Sequence, residues 1–83
     1  MREVDLISVQ EIRVLAEPFG GELVKAVVDI DRGRFVVDME LHVDGEQFLL
    51  ASDSTQAALW GINLYPDEYG GDAFVEFDSA INI

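Results

Sequence analysis

Apolar positions near the start of the chain recur at helical spacing. The apolar positions are Ile12, Leu15, Ala16 and Phe19. Intervals of three and four residues place such side chains on one face of an α-helix. Ser8 and Glu11 precede them as a capping box, because each side chain can bond the other residue's backbone N–H. Pro18 and Gly20 end the pattern, so we predict a helix over residues 8–18.

From residue 22 the apolar period changes to two, which is the period of a half-buried strand. The alternating apolar positions are Val24, Ala26, Val28 and Ile30, and then Phe35, Val37, Met39, Leu41 and Val43. If Arg32 and Gly33 are the two turn residues between them, Val28 lies opposite Val37 and Ala26 lies opposite Met39. Apolar positions then meet throughout, which favours this register. We predict antiparallel strands over 22–31 and 34–43.

Asp44-Gly45 is typical of a type I′ hairpin turn. A turn at this point pairs Leu41 with Phe48 and Met39 with Leu50, again apolar with apolar. The sequence therefore predicts a third strand over residues 46–51 and a three-stranded meander.

The second half of the chain carries shorter signals. Asp53 and Gln56 indicate a helix of at most two turns that Gly61 ends, and helix capping also accounts for the hydroxyls of residues 52–55. Strands are predicted over 61–65 and 74–78, with residues 81–83 as a further short one. The order α-β-β-β-α-β-β predicts one α+β domain over residues 1–83, in two layers, with helices on the apolar face of an antiparallel sheet. The pattern leaves open where strand 61–65 joins that sheet, a parallel addition through the short helix included.

Composition narrows the function classes. The chain has 83 residues, 17 acidic and 5 basic side chains, a net charge of −12 and no cysteine. Disulfide frameworks and thiolate metal sites are excluded, and the scarcity of Lys and Arg argues against binding to nucleic acid or to anionic membranes. No apolar run approaches the length of a membrane span, and the first residues do not resemble a signal peptide. We expect a cytoplasmic protein without a cofactor.

Four segments together resemble a small prokaryotic family of unknown function. The segments read VKAVVDI from Val24, ELH from Glu40, LWGINLYP from Leu59 and FDSAINI from Phe77. The similarity runs from about Phe19 to the last residue. It implies a chain that continues into an Arg-Pro and Gly-Asn-Arg-rich tail, and it implies no activity, substrate or cofactor.

Asp38, Glu40 and His42 alternate along the second predicted strand and would share one face. Carboxylates with an imidazole can bind a divalent metal or share acid–base work. The other interpretation is the solvated face of an amphipathic strand.

Trp60, Asn63, Tyr65 and Tyr69 surround a glycine-containing loop, where aromatic side chains can form a pocket for a small ligand or a peptide. The other interpretation places Trp60 in the core.

The same predicted outer face also carries Val27, Val36, Leu49 and Ala51. Such a mixture of apolar and charged positions calls for a cover, which the C-terminal strand region, a second helix or another subunit could supply. With few catalytic groups in the chain, the sequence favours a non-enzymatic domain that acts through protein contacts, as a homodimer or with a basic partner. A metal-dependent or acid–base enzyme and a small-ligand binder are the alternatives.

Overall fold

The computed structural model describes residues 1–80 as a five-stranded antiparallel sheet with a helix on each face. The strand order is β1-β3-β2-β4-β5. The elements are β1 (Arg2–Val4), α1 (Val9–Ala16), β2 (Val24–Asp29), β3 (Arg34–Met39), α2 (His42–Leu50), β4 (Leu59–Leu64) and β5 (Val75–Ala80). The α+β class and the antiparallel sheet are confirmed, and the predicted element order fits only roughly.

The first helix forms where its capping signal predicts. The Ser8 side chain accepts a hydrogen bond from the Glu11 N–H at 3.1 Å, and Ile12 and Ala16 are buried against the sheet. A short 3-10 turn over Glu17–Phe19 follows α1 and ends at Gly20, whose φ of 74° a glycine adopts without strain.

The hairpin of β2 and β3 has the predicted faces with a different register. Val28 pairs with Phe35 and Ala26 with Val37, a shift of two positions from the prediction. The connection spans residues 30–33, because the Asp29 carboxylate accepts backbone N–H bonds that hold a wider turn than the predicted two-residue one. A shift of two leaves the side chains up to Val37 on their predicted faces, since side chains alternate with period two.

The predicted third strand over 46–51 is wrong, because these residues lie in and just after α2. The buried face of α2 consists of Gly45 and Leu49, with the partly buried His42 on the same side. Because this face contains a glycine and a histidine, the sequence shows no helical spacing of apolar residues here. The apolar residues that alternate in this segment are largely exposed, and their period of two led to the prediction of a strand. The second strand also ends early, at Met39, and residues 40–43 do not extend it.

Gly45 allows α2 to approach the sheet closely and does not form a hairpin turn. A Cβ at this position would lie 2.8 Å from Val27 Cγ2 and 2.8 Å from the Met39 side chain. The glycine therefore reflects close packing in a helix.

Each face of the sheet carries its own apolar core, so the prediction of two layers with both helices on one face is wrong. The core beneath α1 contains Ile12, Ala16, Val24, Ala26, Val37, Ile62 and Leu64. The core beneath α2 contains Val27, Val36, Met39, Leu49 and Leu59. The mixed face expected from the sequence is thus covered by the second helix of the same chain. Met39 changes face relative to Val37 because Asp38 has a φ of 69° beside an irregularity in the pairing.

Three other differences concern the chain ends and β4. The predicted helix after Asp53 is a 3-10 turn over Gln56–Ala58, and β4 follows it directly and pairs antiparallel with β2. The sequence pattern does not indicate β1, which pairs with β3. The strand predicted over 81–83 lies outside the described residues.

Candidate functional site

The four predicted binding residues, in β4 and in the segment that follows it, lie on two faces of the sheet. Trp60 packs against the core beneath α1, and Tyr69 lines a cavity on that same side. Asn63 and Tyr65 point the other way, where both side chains bond Glu76 of β5. The four residues therefore belong to two different sites on opposite faces of the sheet.

The α1 side of β4 and β5 carries a group of large apolar side chains, some exposed and some half-buried, which we call the apolar patch. The apolar patch consists of Trp60, Tyr69, Phe74, Val75 and Phe77. Trp60 and Phe77 meet edge to face with ring centroids 5.7 Å apart, and Tyr69 and Phe74 meet likewise at 5.1 Å. Phe77 is 60% exposed and Tyr69 is 64% exposed. Large apolar side chains that neighbour one another at the surface are typical of a binding site.

Next to the apolar patch, an open cavity of about 550 Å³ lies between α1, the sheet and the loop before β5. It is lined by Ile7, Ser8, Val9, Ile12, Val28, Phe35, Ile62, Leu64, Tyr69 and Phe74. Most of these side chains are apolar. The cavity therefore suits an apolar group, either a small molecule or an anchoring side chain of a protein.

The opposite face of β4 and β5 carries a polar network centred on Glu76. Asn63 Nδ2 donates to Glu76 Oε1 at 2.9 Å, and the Tyr65 hydroxyl donates to the same oxygen at 2.8 Å. Lys25 Nζ donates to Asn63 Oδ1 at 3.5 Å. The bonds from Asn63 and Tyr65 lower the pKa of Glu76, and the bond to Glu76 raises the pKa of Tyr65. Glu76 is therefore held in its charged form beside the sheet edge.

His42 begins α2 and reaches back over β4. Its Nε2 donates to the Ile62 carbonyl at 2.8 Å, because a carbonyl oxygen only accepts. Its Nδ1 lies 3.6 Å from a carboxylate oxygen of Asp78. The ring occupies the space above Gly61, where a Cβ would lie 2.8 Å from the imidazole Cγ. His42 thus connects α2 to β4 and β5.

The residues of the predicted metal site do not share a strand face. Asp38 ends up near the chain terminus, 3.6 Å from the Met1 amino group, Glu40 lies between β3 and α2, and His42 is held by Ile62. Within residues 1–80, no group of three or more His, Cys, Asp or Glu side chains is arranged to hold a metal ion. The strand-face geometry on which the metal prediction rested is therefore absent.

The basic side chains are largely engaged inside the chain. Four of the five bond acidic or amide side chains: Arg2 with Glu11, Arg13 with Asp67, Arg34 with Glu3, and Lys25 with Asn63. Since the chain carries 17 acidic residues, its surface keeps a large excess of negative charge. Such a surface attracts basic molecules and repels anionic ones.

The buried carboxylate of Asp29 stabilises the fold by accepting hydrogen bonds from the turn and from Ser54. Burial favours a raised pKa, but the bonds from Ser54, at 2.6 Å, and from the N–H groups of Arg32 and Asp31 outweigh it, so the pKa of Asp29 is lowered. The Ser54 hydroxyl, one of those in the segment 52–55, therefore connects the loop before β4 to the β2–β3 turn.

The family profile described as "Protein of unknown function (DUF5674)" matches residues 4–83. The chain belongs to this family. The match confirms the resemblance to a family of unknown function. No curated protein and no solved structure matches the chain. Neither helix within residues 1–80 is long and apolar enough to cross a membrane.

Glu76 and Phe77 are not among the site residues predicted from the sequence. Both lie in the strand predicted over residues 74–78. The signal that could have identified them is the alternation of Val75 and Phe77 with Glu76 and Asp78 in the last strand of the chain. Such a strand presents an apolar side and an acidic side at once.

Proposed function

We propose that this DUF5674 chain is a non-enzymatic, protein-binding domain and that it binds its partner at β5 and the apolar patch. One observation carries the proposal: Phe77 lies in an edge strand and is 60% exposed, although Trp60 contacts its ring from the sheet side. An edge strand with exposed apolar side chains invites pairing with another chain.

The excess of acidic residues defines the partner's chemistry. Glu76 and Asp78 flank Phe77 in the strand, and most basic groups of the chain are already bonded internally. A basic partner gains attraction at this surface, whereas antiparallel pairing of β5 with a second copy centred on Phe77 would place Glu76 of one copy opposite Asp78 of the other. Like charges directly opposite destabilise a strand pair, so we favour a basic protein over a homodimer.

Affinity capture from a lysate of the source organism tests this proposal when wild type is compared with two matched variants. Phe77→Ser removes an apolar side chain from the patch, and Leu41→Ser removes one of equal exposure, 60%, from the α2 side. Serine suits position 41, because Leu41 is the N-cap of α2.

We expect a stoichiometric basic protein that binds wild type and Leu41→Ser but not Phe77→Ser. Its recovery should fall from low to high salt, since salt screens exposed charges beyond about 8 Å under physiological conditions. Loss of the partner with Leu41→Ser alone, or recovery of no partner at either salt concentration, contradicts the proposal.

The alternative of a small-ligand binder has one observation in its favour, the apolar cavity of about 550 Å³ beneath α1. Its volume lies within the range of small-molecule sites. Saturable binding of an uncharged apolar fluorophore to wild type, lost in Ile7→Trp because the indole fills the cavity, would support this function. Equal binding by both proteins would contradict it.

A further inference from the structure

Two residues of β5 direct their backbone hydrogen-bonding groups away from β4, and these two residues also carry exposed apolar side chains. The Tyr65 N–H donates to the Phe74 carbonyl at 2.9 Å, so Phe74 faces β4. Backbone groups of an antiparallel strand alternate in direction along the chain. Glu76 consequently faces β4 as well, and Val75 and Phe77 direct their N–H and C=O groups away from the sheet.

The side chains of β5 alternate in chemistry as well as in direction. Val75 and Phe77 lie on the α1 side of the sheet, where Phe77 meets Trp60. Glu76 and Asp78 lie on the α2 side, where Glu76 bonds Asn63 and Asp78 approaches His42. A strand added at this edge would therefore have one row of side chains beside apolar groups and the other row beside carboxylates.

We infer that the partner binds as a sixth strand along β5, through an extended segment in which apolar residues alternate with Lys or Arg. This inference rests on the proposed function and specifies the partner's binding segment. Main-chain hydrogen bonds to Val75 and Phe77 supply affinity, and the alternating side chains supply specificity, as in other cases of strand addition.

The carboxylate of Glu76, at the centre of this edge, is held in a fixed orientation in which it can bind a cationic side chain. The hydrogen bonds from Asn63 and Tyr65 both reach Glu76 Oε1, which orients the carboxylate group. Asp78 is about half exposed, with 48% of its side chain accessible. A Lys or Arg beside Glu76 on the added strand would meet this carboxylate directly. Asp78 lies at the irregularity between Phe77 and Ser79, and a second long basic side chain further along the added strand would reach it.

Two synthetic peptides test the inference on the isolated domain. Both contain four valines and four lysines. In one the residues alternate, and in the other the lysines form a block at one end. Binding is followed by the fluorescence of Trp60, the only tryptophan, and by amide chemical shifts. We expect the alternating peptide to bind at least about tenfold more tightly and to shift the amides of Val75 and Phe77 most.

A matched pair of variants isolates the backbone contribution. Val75→Ala and Val75→Pro both remove the valine side chain, and only the proline removes the outward N–H. The first position of an edge strand tolerates proline, and circular dichroism of the variant checks its fold. We expect Val75→Pro to weaken the alternating peptide about tenfold more than Val75→Ala, as loss of one hydrogen bond predicts.

Equal binding of the two peptides, equal effects of the two Val75 variants, or shifts confined to α2 would overturn strand addition. If those results occur while capture of a partner still depends on Phe77, the protein-binding function stands and only its geometry is wrong. If capture also fails, both proposals fall. A dimer of the free domain that dissociates as the peptide binds would assign this edge to a second copy, contrary to our choice of a basic partner.

Discussion

The centre of the sheet and its β5 edge are built from similar alternating sequences, yet their surroundings differ. Val27 and Val36 in the centre are fully buried because α2 covers them, whereas Phe77 at the edge is 60% exposed. Alternation in a sequence defines which side chains share a face, but it does not show what covers that face. Within residues 1–80, neither helix covers the apolar side chains of β5, and we therefore propose the binding surface at this edge.

The largest expected effect distinguishes the stability of the two regions. Leu49→Ala removes a fully buried side chain beneath α2 and should lower the free energy of unfolding by about 2–5 kcal/mol. Phe77→Ala removes a mostly exposed side chain and should cost under about 1 kcal/mol. Urea denaturation measures both variants. Similar losses for the two would mean that β5 is packed as firmly as the centre.

The second-largest effect on stability is expected at Asp29, whose buried carboxylate holds the turn of the β2–β3 hairpin. Asp29→Asn replaces the carboxylate that accepts bonds from Ser54 and two backbone N–H groups with a neutral amide. We therefore expect the free energy of unfolding to fall by about 2 kcal/mol at neutral pH. The pKa of Asp29 is lower in the folded state. Its stabilising contribution is therefore present above the ordinary aspartate pKa of about 3.9 and disappears as the pH falls through the folded-state pKa.

Denaturation from pH 7 to pH 2 should consequently show a smaller loss of stability in Asp29→Asn than in wild type. Asp31→Asn, an exposed change two residues away, serves as the matched control and should follow the wild-type curve. Parallel curves for wild type and Asp29→Asn would rule out this role of the carboxylate.

A smaller effect is expected at the glycine where α2 touches the sheet. Alanine at a helical glycine ordinarily stabilises by up to about 1 kcal/mol. At Gly45 the added Cβ would come within 2.8 Å of Val27, so Gly45→Ala should instead destabilise by about 1–2 kcal/mol. Thermal unfolding provides the measurement. A raised melting temperature would place α2 farther from the centre of the sheet.

The smallest expected change in stability concerns the polar network at the edge. The hydrogen bond to Glu76 is the main cause of the raised pKa of Tyr65, and the charge of Glu76 adds to it. Glu76→Gln weakens that bond and removes the charge, so the phenol should ionise at lower pH in the variant. Because the folded-state pKa of Tyr65 is raised, the contribution of its bond to Glu76 is present below about pH 10 and is lost as pH rises through the folded-state pKa.

Ultraviolet titration follows this change, since the chain has only two tyrosines, Tyr65 and Tyr69. The variant Tyr69→Phe leaves Tyr65 as the single chromophore and is the suitable background. An unchanged titration of Tyr65 after Glu76→Gln would show that the network does not form.

Local signals in the sequence predicted the parts of the fold that local chemistry determines. The capping box of Ser8 defines α1, and the alternation around Val28 and Val37 defines the faces of the central hairpin, even though the Asp29 turn shifts its register. The helix α2 could not be predicted in this way. Its buried face includes Gly45 and His42, whose roles depend on Val27 and Ile62, residues distant in the sequence.

The candidate site shows the same limit. Their position near one loop groups Trp60, Asn63, Tyr65 and Tyr69 in the sequence, but alternation along β4 places Trp60 and Asn63 on opposite faces. Tyr69 lies on the side of Trp60, and Tyr65 lies on the side of Asn63. Phe77 and Glu76 become candidate binding residues only because β5 lies at the edge of the sheet. Sheet order follows from long-range pairing, which the pattern around residues 61–65 did not determine.

Amide hydrogen exchange on the domain, alone and with the captured partner, tests the central claim most directly. We expect fast exchange at Val75 and Phe77 in the free domain, because their N–H groups face away from β4. When the partner binds, we expect strong protection of both amides and unchanged exchange in α2. Slow exchange at these two amides in the free domain, or protection confined to α2 in the complex, would contradict the account.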